Sequence, residues 1–325
     1  MDMPGDQFLL FDQAPAIQGP VQPAEAPPEL AELAAAMPSR LYLGTSSWSF
    51  PGWAGLVYRK HHSETALARH GLAAYARHPL LNGVGLDRTH YQPISAAAYA
   101  AYREAVPTEF RFLVKAHEAC TLTRFPEHPR YGTRAGCDNP LFLDAAYATD
   151  EVVGPYLEGL QDRAGVLLFQ LAPQELPRQF PERLHRFLDA LPKGPRYAVE
   201  LRNRELLGPP WRQALADAGA LHCLNLHPRM PDIATQAKLS GALEGEALVI
   251  RWMLYRGLGY DQARQRYAPF SHLVDRDPTA RRTVAALAKD ALGRGKAVFV
   301  VANNKAEGSA PRTLAELAKE IHKLS

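Results

Sequence analysis

The amino-acid sequence predicts one α/β domain built as a (β/α)8, TIM-like barrel. Eight short apolar runs of strand length recur between residues 41 and 303, and stretches of helical periodicity separate them. Such alternation implies parallel strands joined by crossover helices, and eight units over about 285 residues suit a closed barrel better than an open doubly wound sheet. No G-x-G-x-x-G turn follows the first run, which lowers the dinucleotide-binding alternative.

Taken in order, residues 1–38 read as a flexible tail. Pro4, Pro15, Pro20, Pro23, Pro27, Pro28 and Pro38 punctuate an Ala- and Gln-containing segment that is not expected to sustain a helix or strand, and the folded domain is set at 39–325. The tail's one apolar island, QFLLF at 7–11, resembles the Q-x-x-L-F peptides that dock on the bacterial replicative sliding clamp. That resemblance implies Leu10 and Phe11 in an apolar pocket and Gln7 fixing the register. The plain alternative is that the island packs back on the domain.

The strands expected next are LYLGT (41–45), GVGLD (83–87), FRFLVKA (110–116), GVLLFQL (165–171), YAVELR (197–202), LHCLNL (221–226), ALVIRWM (247–253) and KAVFVVAN (296–303). Helical patterns fall near 65–78, 95–106, 143–162, 181–191, 209–219, 278–293 and 310–324. The connection between the sixth and seventh strands shows no clear helix.

Composition bounds the function classes. With 46% hydrophobic residues and a formal charge of +3, the chain is of the soluble globular kind, and its mild basicity permits an anionic ligand without requiring nucleic acid. Cys120, Cys137 and Cys223 are too few for a disulfide scaffold, and no apolar run approaches the roughly 20 residues of a membrane span. A cytoplasmic protein with no membrane partner is the expectation.

In a barrel of this kind the active site lies at the C-terminal ends of the strands. Those ends carry Thr45 to Trp48, Asp87 with Thr89, His90 and Tyr91, Lys115 with His117, Gln170, Glu200 with Arg202, Asn225 with His227, Arg251, and Asn303 with Asn304. One polar strand end is ordinary loop chemistry, whereas a ring of them on otherwise apolar strands points to a site. Positions i and i+2 of a strand share a face, so Glu200 and Arg202 sit together and only one of Asn303 and Asn304 faces the mouth; Asn303 is the expected one.

At these positions the chain resembles a known family. GTSSWSFPGW (44–53), FLVKA (112–116), GVLLFQLAP (165–173), YAVELRN (197–203), VIR (249–251) and NNKAEGSAP (303–311) are similar, in order, to the motifs of the DUF72 or YecE-like family. The resemblance implies a TIM barrel and no settled activity. It marks Trp48, Thr89, Tyr91, Lys115, Gln170, Glu200, Arg202, Arg251 and Asn303 as matching positions. The second strand departs from the family pattern, with Gly85 replacing an acid, Asp87 an amide and His90 an aromatic. After the fifth, Asn203 stands where the family usually has His.

The residue types suggest a division of labour. Lys115 could serve as general base or Schiff-base nucleophile if burial lowered its pKa, with Glu200 and Asp87 as acid-base partners; the plain alternative is a structural ion pair. Arg202 and Arg251 suit a bidentate grip on phosphate or carboxylate. Trp48, Thr89, His90, Tyr91, Gln170 and Asn303 complete the expected substrate-binding set. No cofactor is expected, although Asp87, His90, His117, Glu200 and His227 form a rival set for a divalent metal. His117, Cys120, His128 and Cys137 match no standard zinc spacing. Arginine and aromatic residues interleave at 124–134 and 252–267, as in phosphate- or base-contacting loops, but arginine outnumbers lysine throughout the chain. Three functions stay open: an enzyme, of hydrolase or lyase type, acting on a phosphorylated, carboxylated or sugar-containing small molecule; a DNA-repair or other nucleic-acid processing factor tethered to the clamp; and a ligand-binding module without turnover.

Overall fold

Eight parallel strands pair in chain order and close on themselves: β1 (Leu41–Thr45), β2 (Gly83–Leu86), β3 (Arg111–Lys115), β4 (Ala164–Gln170), β5 (Tyr197–Glu200), β6 (Leu221–Leu226), β7 (Ala247–Trp252) and β8 (Ala297–Ala302). The computed structural model describes residues 20–324. Leu113, Val166, Leu168, Ala198, Cys223, Val249, Phe299 and Val301 fill the barrel interior. The alternate residues Phe112, Val114, Leu167, Phe169, Val199, Leu224, Ile250 and Val300 pack outward under the helices. Both faces of every strand are therefore apolar, which is why the strands read as continuous runs in the sequence.

The ladder is uneven. β7 and β8 pair at six positions, from Ala247 opposite Ala297 to Trp252 opposite Ala302. β1 and β2 pair at only two, Gly44 with Gly83 and Thr45 with Val84, and β5 and β6 at two, Ala198 with Leu221 and Val199 with His222. At the β1–β2 junction a side chain extends the pairing: Asn82 Nδ2 donates to the Leu41 carbonyl at 2.8 Å, and its Oδ1 accepts from the Leu43 amide at 2.8 Å. The strands also approach so closely that a Cβ on Gly44 would lie 2.4 Å from the Gly83 carbonyl oxygen, so only glycine fits there.

The expected helices near 95–106, 181–191, 209–219, 278–293 and 310–324 are present as Ala96–Glu104, Phe180–Ala190, Pro209–Asp217, Pro278–Gly293 and Ala310–Leu324. Ser95 and Asp277 start the first and fourth by accepting from the amides of Ala98 and Ala280. The stretch 65–78 breaks at Gly71 into Glu64–His70 and Leu72–Tyr75, and 143–162 winds through a π-turn at Thr149–Val153 between two short helices.

Two expectations need correction. The connection between β6 and β7 does contain a helix, Ile233–Ser240, capped by Asp232 and ended by Gly241 in the left-handed conformation. Residues 20–38 are not an unstructured tail: Pro28–Ala35 is helical, and Leu30, Leu33, Ala34 and Met37 pack on the core. Just upstream the backbone hydrogen-bonds to the domain through Ala24 to Val57 and Arg59 to Gln22. Pro28 opens this helix, where a missing N–H costs nothing and a fixed φ favours the turn, so the proline that reads as a breaker is a start signal. The candidate docking residues Gln7, Leu10 and Phe11 lie outside the described residues. Among the described residues no helix is long and apolar enough to cross a membrane.

Candidate functional site at the barrel mouth

Continuing the inward face of each strand by one more step of two residues gives Ser46, Asp87, Lys115, Gln170, Glu200, Asn225, Arg251 and Asn303. Every strand thus places a polar side chain in a single layer above the apolar interior. Gly85, one step deeper on β2, is tightly packed, so a larger side chain there requires its neighbours to shift. A Cβ on Gly85 would already stand 3.1 Å from the Ser46 Cα and 3.3 Å from Val301 Cγ1.

Arg251 organises this layer. Its Nη1 donates to Glu200 Oε2 at 2.5 Å and to Gln170 Oε1 at 2.9 Å, and its Nη2 to the Asp87 carboxylate at 3.3 and 3.4 Å. Arg202 Nε donates to the other Glu200 oxygen at 2.7 Å, and its Nη2 bonds the same atom. Glu200 is fully buried, and burial alone would raise its pKa; the charges of Arg202 and Arg251 outweigh that and hold the carboxyl at about 2. Glu200 is therefore an ionised anchor for two guanidinium groups and a poor proton acceptor near neutral pH.

Lys115 behaves in the opposite way. Its side chain is buried at the end of β3, and among the described residues its Nζ has neither a hydrogen bond nor an ion pair. Burial lowers its pKa to about 8; the Asp87 charge opposes the shift and the Arg251 charge adds to it. A substantial fraction of Lys115 is thus a neutral, nucleophilic amine at mildly alkaline pH.

The remaining candidates divide into rim, tie and core. Tyr91 is at the rim, 37% exposed, with the Arg130 guanidinium 4.8 Å from its ring centre. Thr89 is a tie: its hydroxyl lies 2.9 Å from the Leu86 carbonyl and 2.7 Å from that of Lys115, so its one proton is held between two strand ends. His90 is buried behind it, with Nδ1 donating to the Ala116 carbonyl at 3.2 Å and Nε2 3.6 Å from Glu118. Burial and the Lys115 charge keep this imidazole well below its usual pKa and hence neutral. Trp48 is a core residue, its indole donating to the Leu67 carbonyl at 3.0 Å and packing edge-on against Tyr102. Asn303 faces Ser46, donating to its Oγ at 2.8 Å, while Asn304 points to the outer layer and accepts from Trp53 Nε1 and the Ala310 amide.

The metal rival loses its geometry because its members are committed separately. Asp87 and Glu200 bind Arg251, His90 binds a backbone carbonyl, and His117 Nδ1 lies 2.6 Å from the Tyr147 hydroxyl. Among the described residues no three His, Cys, Asp or Glu side chains are grouped to hold a metal ion. The arginine-rich loop after β3 is likewise engaged internally. Arg130 donates to buried Glu118 at 2.6 Å and covers Tyr131, and Arg134 stacks over Phe125.

Sequence reasoning passed over Lys305. It lies two residues beyond Asn303 in a loop, where strand periodicity no longer assigns a face, yet it is buried with its Nζ 3.4 Å from Asn303 Oδ1 and 4.0 Å from the Tyr260 ring centre.

A family described as "Protein of unknown function DUF72" matches residues 42–324. No curated protein matches the chain. Among solved structures, a DUF72 family protein from Enterococcus faecalis V583 superposes with a TM-score of 0.60 at 18% identity, covering 86% of this chain and 95% of that one. A DUF72 family protein from Thermotoga maritima MSB8 superposes with a TM-score of 0.57 at 18% identity, covering 86% and 98%. At such identities the likeness concerns the fold.

Proposed function

The chain belongs to the DUF72 family, whose function is unknown, and from the geometry of its barrel mouth we propose an enzyme acting on an anionic small molecule with Lys115 as the reacting amine. One observation carries this reading: Lys115 is buried and, among the described residues, its amine has no hydrogen-bond or ion-pair partner, in a layer where both neighbouring carboxylates are bound to Arg251. A lysine left this way is costly to the fold, and active sites are where such costs are retained. Arg202 and Arg251, oriented by Glu200, bring guanidinium N–H donors into the same layer, a donor set suited to an anionic substrate.

In this reading the neutral Lys115 acts on the substrate either by accepting a proton or by attacking a carbonyl carbon, and Asp87 and Gln170 line the approach. The first test is an NMR titration of the lysine Cε resonances. Lys115 is expected to titrate near pH 8; an ordinary midpoint near 10.5 removes the reading. Borohydride reduction in the presence of a small keto acid then separates the two roles. A mass gain on Lys115 identifies the nucleophile, and its absence leaves the base.

A further inference from the structure

We propose that Lys305 is the residue that grips the substrate's anionic group, and that this group is a dianionic phosphate. The inference rests on the reading of the mouth as an anion-binding active site, and it assigns a second lysine a task distinct from that of Lys115.

Lys305 is held firmly but incompletely satisfied. Its backbone is fixed on both sides, the amide donating to Asn303 Oδ1 at 2.9 Å and the carbonyl accepting from the Tyr255 amide at 2.9 Å. An ammonium offers three donors, and among the described residues this one makes a single long contact, 3.4 Å to the same Asn303 oxygen, besides resting on the Tyr260 ring. The residue is only 3% exposed. Asn303, which bonds Ser46 of the inward layer, also contacts the Nζ, and the Asp87 carboxylate of that layer is close enough for its charge to act on Lys305.

Charge selects the class of ligand. Arg202 and Arg251 are opposed by Glu200 and, at longer range, by Asp87. Lys115 and Lys305 have no ion pair among the described residues; both experience Asp87 at a distance, and Lys305 also Asp261. Near pH 7 amines whose pKa lies at about 8 are mainly protonated, so the two lysines meet the substrate with roughly two positive charges in excess, and Lys115 becomes neutral only when it reacts. A monocarboxylate leaves one of them unopposed in a buried site, whereas a phosphate monoester, at about −1.5 to −2 near pH 7, balances both. The burial and electrostatic repulsion that lower Lys305 to about 8, with Arg264 as the repelling charge, are relieved when that anion arrives.

The test is binding of inorganic phosphate by the full-length protein, with acetate as the monoanionic comparison. Wild type is expected to bind phosphate at least tenfold more tightly than acetate. Lys305→Met is expected to weaken phosphate at least tenfold, and Lys305→Arg to stay within about threefold of wild type. Equal phosphate binding by wild type and Lys305→Met overturns the assignment of Lys305 and leaves the Lys115 reading standing. A wild type that binds no phosphate overturns this inference, while an ordinary Lys115 midpoint in the separate titration strikes the underlying reading. If Lys305→Met does not fold, the wild-type NMR titration decides: phosphate must shift the Lys305 midpoint upward, and an unmoved midpoint overturns the proposal.

Discussion

Glu200 and Lys115 share one layer of the barrel, yet their burial has opposite consequences for stability. Glu200→Gln removes the negative charge shared by two buried guanidinium groups and turns an NH2 donor towards one of them, so it is expected to destabilise the fold by about 3–5 kcal/mol in urea denaturation. The same contacts set a pH dependence. The folded carboxyl titrates at about 2 against an ordinary 4.5, so its contribution is complete above pH 4.5 and is lost as pH falls towards 2. Lys115 carries the reverse sign: its folded pKa lies below that of the unfolded chain, so it opposes folding below pH 8 and the penalty fades between 8 and 10.5. Lys115→Met is accordingly expected to raise the unfolding free energy measured in urea at pH 7 by up to roughly 3 kcal/mol, while abolishing the reactive amine. A loss of stability in Lys115→Met, or none in Glu200→Gln, contradicts this account of the layer.

Among the elements, the β1–β2 junction depends most on a residue outside any strand. With only two backbone pairs between these strands, the Asn82 amide supplies the hydrogen bonds that a longer β2 would have made. Asn82→Ala leaves the Leu41 carbonyl and the Leu43 amide unmatched and is expected to cost about 2–3 kcal/mol, measured by denaturant unfolding. Asn82→Asp retains one of the two contacts and should cost less. Asn82 also shows where sequence reading stops. The eight strands were legible because buried parallel strands are uninterrupted apolar runs, and the inward layer was legible because each run ends in a polar residue at a step of two. Side chains that do backbone work, such as Asn82, follow no period. The helix Ile233–Ser240 escapes sequence reading because IATQAKLS is short and its apolar stripe narrow, and Pro28–Ala35 escapes it because proline at a helix start has the same sequence signature as a break. Lys305 escaped because its burial is imposed by the loop around it, while Trp48, although on a matching motif, proved to be a packing residue.

For the molecule as a whole, the thin pairing at β1–β2 and at β5–β6 means that the ring has two seams. They divide it into two half-barrels, β2 to β5 and β6 through β8 to β1, each internally joined by four to six register pairs at every junction. Arg251 belongs to one half, and all three of its side-chain partners, Asp87, Gln170 and Glu200, belong to the other. The guanidinium is a rivet driven across the seams. Replacing it by methionine is expected to speed hydrogen exchange of the Gly83–Leu86 and Leu221–Leu226 amides more than that of Ala297–Ala302; uniform acceleration would mean that the barrel opens as one unit. Lys115 stands on the first half and Lys305 on the second, so a molecule held by both would fasten the halves together from above, and occupancy would be felt as stiffness at two seams that the ligand never touches.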